Sequence, residues 1–312
     1  MAVAGGAFIG GAGPVRAVAP TAPLVAAASQ APAPSPEADP EAPRVIITRF
    51  DDAQKRVALT FDACATKNKG YGFDRGIYET LRREKVPATF FTSGRWVEMH
   101  PDVMAELATN PLVEFGNHSY DHPHMARLSA ARIDAELDQT EAALARFGKR
   151  SVAFRPPYGE FSAHLIDVVH AHGMQAVLWD VVSGDPSKAT TTSGIIDVVK
   201  RETRGGSIII FHINGRGWKT AEALPTVLRD LRARGFQLVS LSSLLGPLAA
   251  PATTAPVLPA RGPHVATVAP AGPTTARFAA PGPVPCEVPA PGERIVAGTE
   301  AEAAVGEEAW TP

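Results

Sequence analysis

Between Pro43 and Leu248, short apolar runs alternate with stretches whose apolar residues recur at helical spacing, and this alternation constrains the fold more than any other feature. Parallel strands cannot be joined by a tight turn, so a strand followed by a helix, repeated many times, builds a parallel sheet covered by helices. The strand candidates are 57–62, 88–92, 113–118, 152–155, 176–179, 207–212 and 236–240. Seven strands is one short of a full eightfold barrel. In 130–147, Ile133, Leu137, Leu144 and Phe147 recur at helical spacing with Asp and Glu on the other face. Leu224, Val227, Leu228 and Leu231 repeat the pattern in 219–234.

Proline marks where this folded part stops. Of 29 prolines, 8 fall in 1–44, 13 in 247–312 and 8 in the 202 residues between. The two ends are Ala/Pro/Gly/Thr tracts with too few large apolar side chains to offset the entropy of ordering, so both read as disordered tails around a domain at 45–246. Apart from Arg16, the first 19 residues are small and apolar and end in Ala17, Val18 and Ala19, which resembles the cleavage site of a secretory signal. No Lys or Arg precedes that apolar run, so 1–44 is expected to be a remnant signal peptide and linker, and the protein to be exported to the periplasm, cell envelope or exterior. No stretch approaches the roughly 20 apolar residues that a membrane span needs. With 30 Lys+Arg against 32 Asp+Glu there is no basic field to hold a nucleic acid. Cys64 and Cys286 are the two cysteines, too few for a disulfide framework or a Cys-rich zinc site.

Polar residues stand at the ends of the strands. Asp62, His118, Arg155, Asp180 and His212 each lie at or just past the carboxyl end of a different strand candidate, the end where parallel barrels carry their chemistry. His118 and His122 are spaced so that two imidazoles can reach one metal ion from a strand end and the loop after it. Asp62, at the end of a strand, can act as general base or metal ligand. Arg155 opens a rigid turn through Pro156, Pro157, Tyr158 and Gly159, which would set an Arg beside a carboxylate and aim backbone N–H groups into the mouth. Trp218, in the loop after His212, suits stacking against the apolar face of a sugar.

In this order, Thr60-Phe61-Asp62, His118-x3-His122-Pro123, Arg155-Pro-Pro-Tyr-Gly159, Trp179-Asp180 with Asp185, and an apolar strand ending in His212, the motifs resemble those of the polysaccharide deacetylases of the NodB homology type, carbohydrate esterase family 4. The resemblance covers about 190 residues from Lys55 to Leu245. It implies a distorted (β/α)7 barrel that uses a divalent metal, zinc by preference, to hydrolyse N-acetyl groups from the amino sugars of a peptidoglycan-like or chitin-like glycan. It further implies that Asp62 is the base, oriented by Arg155, and that His118 and His122 hold the metal. His212 would be the acid that protonates the leaving amine, with Asp185 keeping its imidazolium favoured, and the backbone N–H of Tyr158 would hold the oxyanion.

One position departs from the family pattern. A second Asp usually follows the base and is the third metal ligand, whereas this chain has Ala63 in a Thr-Phe-Asp-Ala-Cys variant of the motif. Catalytic zinc usually has three protein ligands, so the third falls to Asp62 or to Cys64, which on a continuing strand faces the same way as Asp62. Two other functions follow if neither serves. One is a metal-independent hydrolase of another non-peptide C–N bond, and the other is a carbohydrate-binding pseudoenzyme.

Overall fold

The computed structural model describes residues 45–68, 71–246, 264–267 and 276–277. In chain order the strands are β1 (Val45–Arg49), β2 (Arg56–Ala63), β3 (Ala88–Thr92), β4 (Val113–Asn117), β5 (Ser151–Phe154), β6 (Glu160–Phe161), β7 (Ala176–Val177), β8 (Val181–Val182), β9 (Ile208–His212), β10 (Gln237–Val239), β11 (His264–Thr267) and β12 (Ala276–Arg277). The helices are α1 (Arg75–Arg83), α2 (Gly94–Met99), α3 (Pro101–Thr109), α4 (Ala130–Ala145), α5 (Ala163–Ala171), α6 (Thr192–Glu202), α7 (Thr220–Ala233) and α8 (Leu241–Leu245). The main sheet runs β11-β1-β7-β5-β4-β3-β2-β9-β8, with β10 beside β2, and every pair in it except β1 with β11 is parallel. Among the described residues its two outermost strands, β8 and β11, do not pair with each other, so the sheet is the curled, incompletely closed form of the distorted (β/α)7 barrel expected from the sequence.

Strand β2 shows how the alternation of a pleated strand builds both core and site. Val57, Leu59, Phe61 and Ala63 pack into one apolar cluster with Ile77, Leu81, Trp96, Leu224 and Leu228 from the helices. Ala58, on the other face, belongs to a second cluster with Phe91, Phe154, Ile208 and Ile210. Thr60 and Asp62 continue that second face, both buried, and Asp62 arrives at the carboxyl end of the strand beside His212 of β9. The apolar layer fixes the register, because a slip by one residue would turn Asp62 into the cluster of Leu59 and Phe61.

Six of the seven expected strands lie within a residue or two of their expected places. The 176–179 candidate instead breaks into β7, which pairs with β1 and β5, and a separate β8, which pairs with β9. Asp180 therefore precedes a strand rather than ending one. Its carboxylate accepts from the backbone N–H of Ile208 and the hydroxyl of Ser207 at 2.9 Å each, at the start of β9 and away from His212 at its end, so the expected rim position of Asp180 is corrected. Strand β1 escaped the sequence reading, although three β-branched residues, Val45, Ile46 and Ile47, open it. The segment expected to be a disordered tail contributes β11, which covers the outer edge of β1, and β12, which pairs with β6; an uncovered edge would leave a row of unpaired N–H and C=O groups. The rest of 247–312, and all of 1–44, lie outside the described residues.

Gly116 of β4 marks a contact that allows no larger side chain. A Cβ there would overlap the Phe91 ring, the same ring that lies 4.0 Å from the Arg155 guanidinium. Gly116→Ala is therefore expected to lower the unfolding free energy by about 1–3 kcal/mol, the usual range for overpacking a core. Equilibrium urea unfolding checks this, with a lower midpoint at unchanged slope as the expected result.

Candidate functional site

Asp62 and Arg155 form the floor of the mouth. Arg155 is fully buried, and one guanidinium nitrogen donates to Asp62 Oδ1 at 2.8 Å. The other donates to Thr60 Oγ1 at 2.9 Å and to the Leu178 carbonyl at 3.0 Å. Thr60 and Asp62 are two apart on one strand face, so a single planar fork spans both. Burial pushes the Asp62 carboxyl up, but the Arg155 guanidinium, through its charge and its hydrogen bond, leads the opposing effects that hold Asp62 below the ordinary carboxylate value.

His118 follows β4, and its ring is set by the same arginine through the backbone. His118 Nδ1 donates to the Arg155 carbonyl at 2.8 Å, which leaves Nε2 with its lone pair directed into the mouth. His122 Nε2 lies 3.2 Å from His118 Nε2, and Asp62 Oδ2 lies 3.6 Å from His118 Nε2. Burial pushes both imidazoles below the ordinary histidine value, and the Asp62 charge only partly offsets this at His118. Two buried neutral imidazoles whose Nε2 atoms meet beside a carboxylate fit a borderline-soft divalent cation such as zinc.

The third ligand is where the sequence left two alternatives. Cys64 is buried, and its sulfur lies with His118 and His122 in a group whose ligand atoms are within 4.8 Å of one another. That sulfur is disulfide-bonded, and a disulfide sulfur is not the thiolate that binds metals. Cys286, the other cysteine of the chain, lies outside the described residues. In this state Asp62 is the anion facing the histidine pair.

His212 ends β9 on the far side of Asp62. Its Nδ1 bonds Asp185 Oδ1 at 2.9 Å, while Asp185 Oδ2 accepts from the His212 backbone N–H and the Thr220 hydroxyl at 2.7 Å each. Among the described residues His212 Nε2 is buried with no hydrogen-bond partner. Tyr158 closes another side. Its ring meets that of His122 at 4.6 Å, its hydroxyl donates to the His122 carbonyl at 3.1 Å, and its backbone is left-handed at φ 60°. Trp218 is 45% exposed beside Asp185, with its indole N–H donating to the Pro186 carbonyl and Lys188 over its ring at 5.0 Å. Every residue expected at the site apart from Asp180 is thus brought to one mouth. Thr60, Thr220 and Asn214, whose amide donates to the Cys64 carbonyl at 3.0 Å, were not anticipated, since a Thr or Asn on a strand or loop carries no sequence signal of its partner.

The family model for polysaccharide deacetylase matches residues 50–177. The chain is 31% identical over 166 residues to the uncharacterized protein YlxY of Bacillus subtilis, a match covering 53% of this chain and 50% of YlxY. Against the peptidoglycan-N-acetylmuramic acid deacetylase PdaC of B. subtilis it is 32% identical over 200 residues, covering 62% of this chain and 39% of PdaC. The chain thus spans half or less of the length of these two relatives. The solved structure of PdaC superposes with a TM-score of 0.53 at 30% identity, over 62% of this chain and 91% of that one. A carbohydrate esterase family 4 pseudoenzyme from Bacillus anthracis superposes with a TM-score of 0.58 at 28% identity, over 64% of this chain and 69% of that one, as does a mutant of it described as having restored enzymatic activity, at 0.57 and 29% over 64% and 71%.

The charge state of the mouth makes a measurable difference to metal uptake. With Asp62 below its ordinary value of 3.8 and both histidines below 6.5, these groups are already deprotonated at pH 7. Zinc titrated into the protein in weak buffer at pH 7 is therefore expected to release close to no protons from the protein. Release of more protons than one metal-bound water can give would instead show that these groups are not deprotonated at pH 7.

Proposed function

We propose that this chain, which belongs to the polysaccharide deacetylase family, hydrolyses N-acetyl groups from the amino sugars of a cell-envelope glycan of peptidoglycan-like or chitin-like type. The observation that carries this reading is the convergence of an Arg-held carboxylate, two facing imidazoles and an Asp-braced histidine on one mouth. His118 and His122 would hold a divalent ion, which when bound would supply Lewis acidity to the acetyl carbonyl and lower the pKa of the attacking water. Asp62, with Oδ1 occupied by Arg155, takes the water proton on Oδ2, the oxygen that faces His118. The backbone N–H of Tyr158 receives the oxyanion. His212 gives a proton from Nε2 to the amide nitrogen as the C–N bond breaks, so that acetate and a free amino sugar leave, while Asp185 fixes the ring through Nδ1. Trp218 offers its exposed face to a neighbouring sugar ring.

Such a glycan lies outside the cytoplasmic membrane, so the protein acts in the envelope or beyond it. Among the described residues no helix is long and apolar enough to cross a membrane.

Asp62→Asn keeps the Arg155 contact through its carbonyl oxygen but cannot take a proton, and is expected to lower acetate release from an N-acetylated oligosaccharide by a factor of about a hundred or more. Exhaustive chelation is expected to abolish the same activity, with zinc restoring it. A chelated, metal-free protein that keeps its full rate would instead favour hydrolysis without a metal.

Ala63 favours a second reading, a glycan-binding protein without turnover, because this position lacks the family's usual carboxylate. Ala63→Asp separates the two. Ala63 packs with Leu59 and Phe61, on the face of β2 opposite Asp62, so a carboxylate there enters an apolar cluster. The expected outcome is a less stable protein with no gain in zinc affinity or rate. Tighter zinc binding together with the appearance of turnover would identify the native chain as the silent form.

A further inference from the structure

The loop that carries the two histidines has nearly all of its backbone polar groups tied down, and one side chain ties two of them. The His118 N–H donates to the Thr92 carbonyl at 3.1 Å, the Ser119 N–H to Asn117 Oδ1 at 3.0 Å and the His122 N–H to Ser119 Oγ at 3.0 Å. The Ser119 and Tyr120 carbonyls accept from the N–H groups of Gly94 and Arg95 at the start of α2, at 3.0 and 3.1 Å. The N–H groups of Tyr120 and Asp121, the two central residues between the histidines, both donate to Glu136 Oε2, at 2.9 and 2.8 Å.

Glu136 is only 2% exposed and lies on α4. The loop it holds does not rest in an easy conformation, because Ser119 and His122 are both left-handed, at φ 61° and 57°. Burial pushes the Glu136 carboxyl above the ordinary value, more than its two amide bonds pull it back, so its ionised form is held against stability. Its other oxygen, Oε1, accepts from the exposed Arg132 one turn earlier on α4 at 3.3 Å, a pair of the kind that adds little to a helix, so the buried oxygen aimed at the strained segment between two facing imidazoles matches a group retained for position.

We infer that Glu136 is a positioning residue for the metal site: by clamping the Tyr120 and Asp121 amides it sets the separation and aim of His118 and His122 at which both Nε2 atoms can take one divalent ion. This rests on the reading of His118 and His122 as metal ligands. Glu136 touches neither the ion nor the substrate and acts through the loop backbone. A glutamine can place its carbonyl oxygen where Oε2 stands and keep both amide bonds, whereas a methionine of similar volume cannot accept them.

The test uses the full chain and zinc itself, with affinity read by competition against a chromophoric chelator. Glu136→Met is expected to weaken zinc binding by about 10- to 100-fold, the range for losing a group that orients a metal ligand, and Glu136→Gln to stay within about threefold of wild type. Hydrogen exchange at the Tyr120 and Asp121 amides of metal-free protein gives a readout independent of zinc, slow in wild type and Glu136→Gln and fast in Glu136→Met. Wild-type affinity in Glu136→Met, or an equal loss in both variants, overturns the inference. If Glu136→Met does not fold, rapid exchange of those two amides in the folded wild type overturns it as well. A wild-type protein that takes up no zinc overturns the metal reading itself and is distinguished from failure of the clamp by the exchange data.

Discussion

A carboxylate placed on the inner face of an apolar sheet is among the most costly groups a fold can hold, and in this molecule Arg155 makes it tenable. Taking an ion of this size out of water costs several kcal/mol even after relaxation, and one partner recovers that only with good geometry and with its remaining donors satisfied. Arg155 meets much of this requirement through Asp62, Thr60 and the Leu178 carbonyl, with its guanidinium over the Phe91 ring at 4.0 Å and near that of Trp179 at 5.4 Å. Its backbone does as much as its side chain. The Arg155 N–H bonds the Asn117 carbonyl at the end of β4, and its own carbonyl fixes the tautomer of His118. One residue therefore aligns the carboxylate and the first imidazole together, and displacement of β5 relative to β4 would disturb both.

The electrostatics of the mouth follow from that arrangement. Asp62 and Arg155 cancel, Asp185 is taken up by His212 and Thr220, and the two facing histidines are neutral. A second carboxylate beside Asp62 would make the pocket net negative and draw a cation more strongly. Asp62 is the one carboxylate that faces the histidine pair, so the attraction for a divalent ion at this mouth would rest on the imidazole lone pairs and that shared carboxylate. The Cys64 disulfide acts in the same direction by withholding a second anion. An ion held by these groups would be retained weakly, so the reading proposed for this mouth puts more weight on the placement of the two histidines than a site with three dedicated ligands would.

Much of this was legible in the sequence, for reasons that individual residues make plain. β2, β3, β4 and β9 are apolar runs bounded by polar residues, and the residue that closes or follows β2, β4 and β9 is a charged or imidazole group, so both strand and site could be read together. Asp180 failed this logic because 176–179 reads as a strand that Asp180 closes, while the bends needed to pass from β7 beside β1 to β8 beside β9, which put Asp180 ahead of a strand, leave no mark on hydrophobicity. Glu136 was hidden by its type. In α4 it sits three residues after Ile133 and one before Leu137, on the edge of the buried stripe, yet a Glu in an amphipathic helix reads as solvent-facing until its partners are known. The partners are backbone amides sixteen and fifteen residues earlier, which no pattern of side chains records. The bonding of Cys64 was equally invisible, since two cysteines far apart in sequence do not say whether they are oxidised.

The distribution of strain bears on whether the mouth is kept for chemistry. Among the described residues five that are not glycine adopt positive φ, and three of them, Ser119, His122 and Tyr158, line this one mouth. Each such residue costs on the order of 1 kcal/mol or more and persists only where its surroundings over-determine it. Here they do, because Ser119 Oγ holds the His122 amide, the Tyr158 hydroxyl holds the His122 carbonyl, and Glu136 holds the segment between. A surface that only bound sugar could relax these backbones and replace the buried Asp62, Arg155 and Glu136 with apolar residues at a gain in stability. Strain and buried charge are kept together around the same two imidazoles, directly or through the loop that carries them, which is the arrangement expected where the relative aim of two side chains matters.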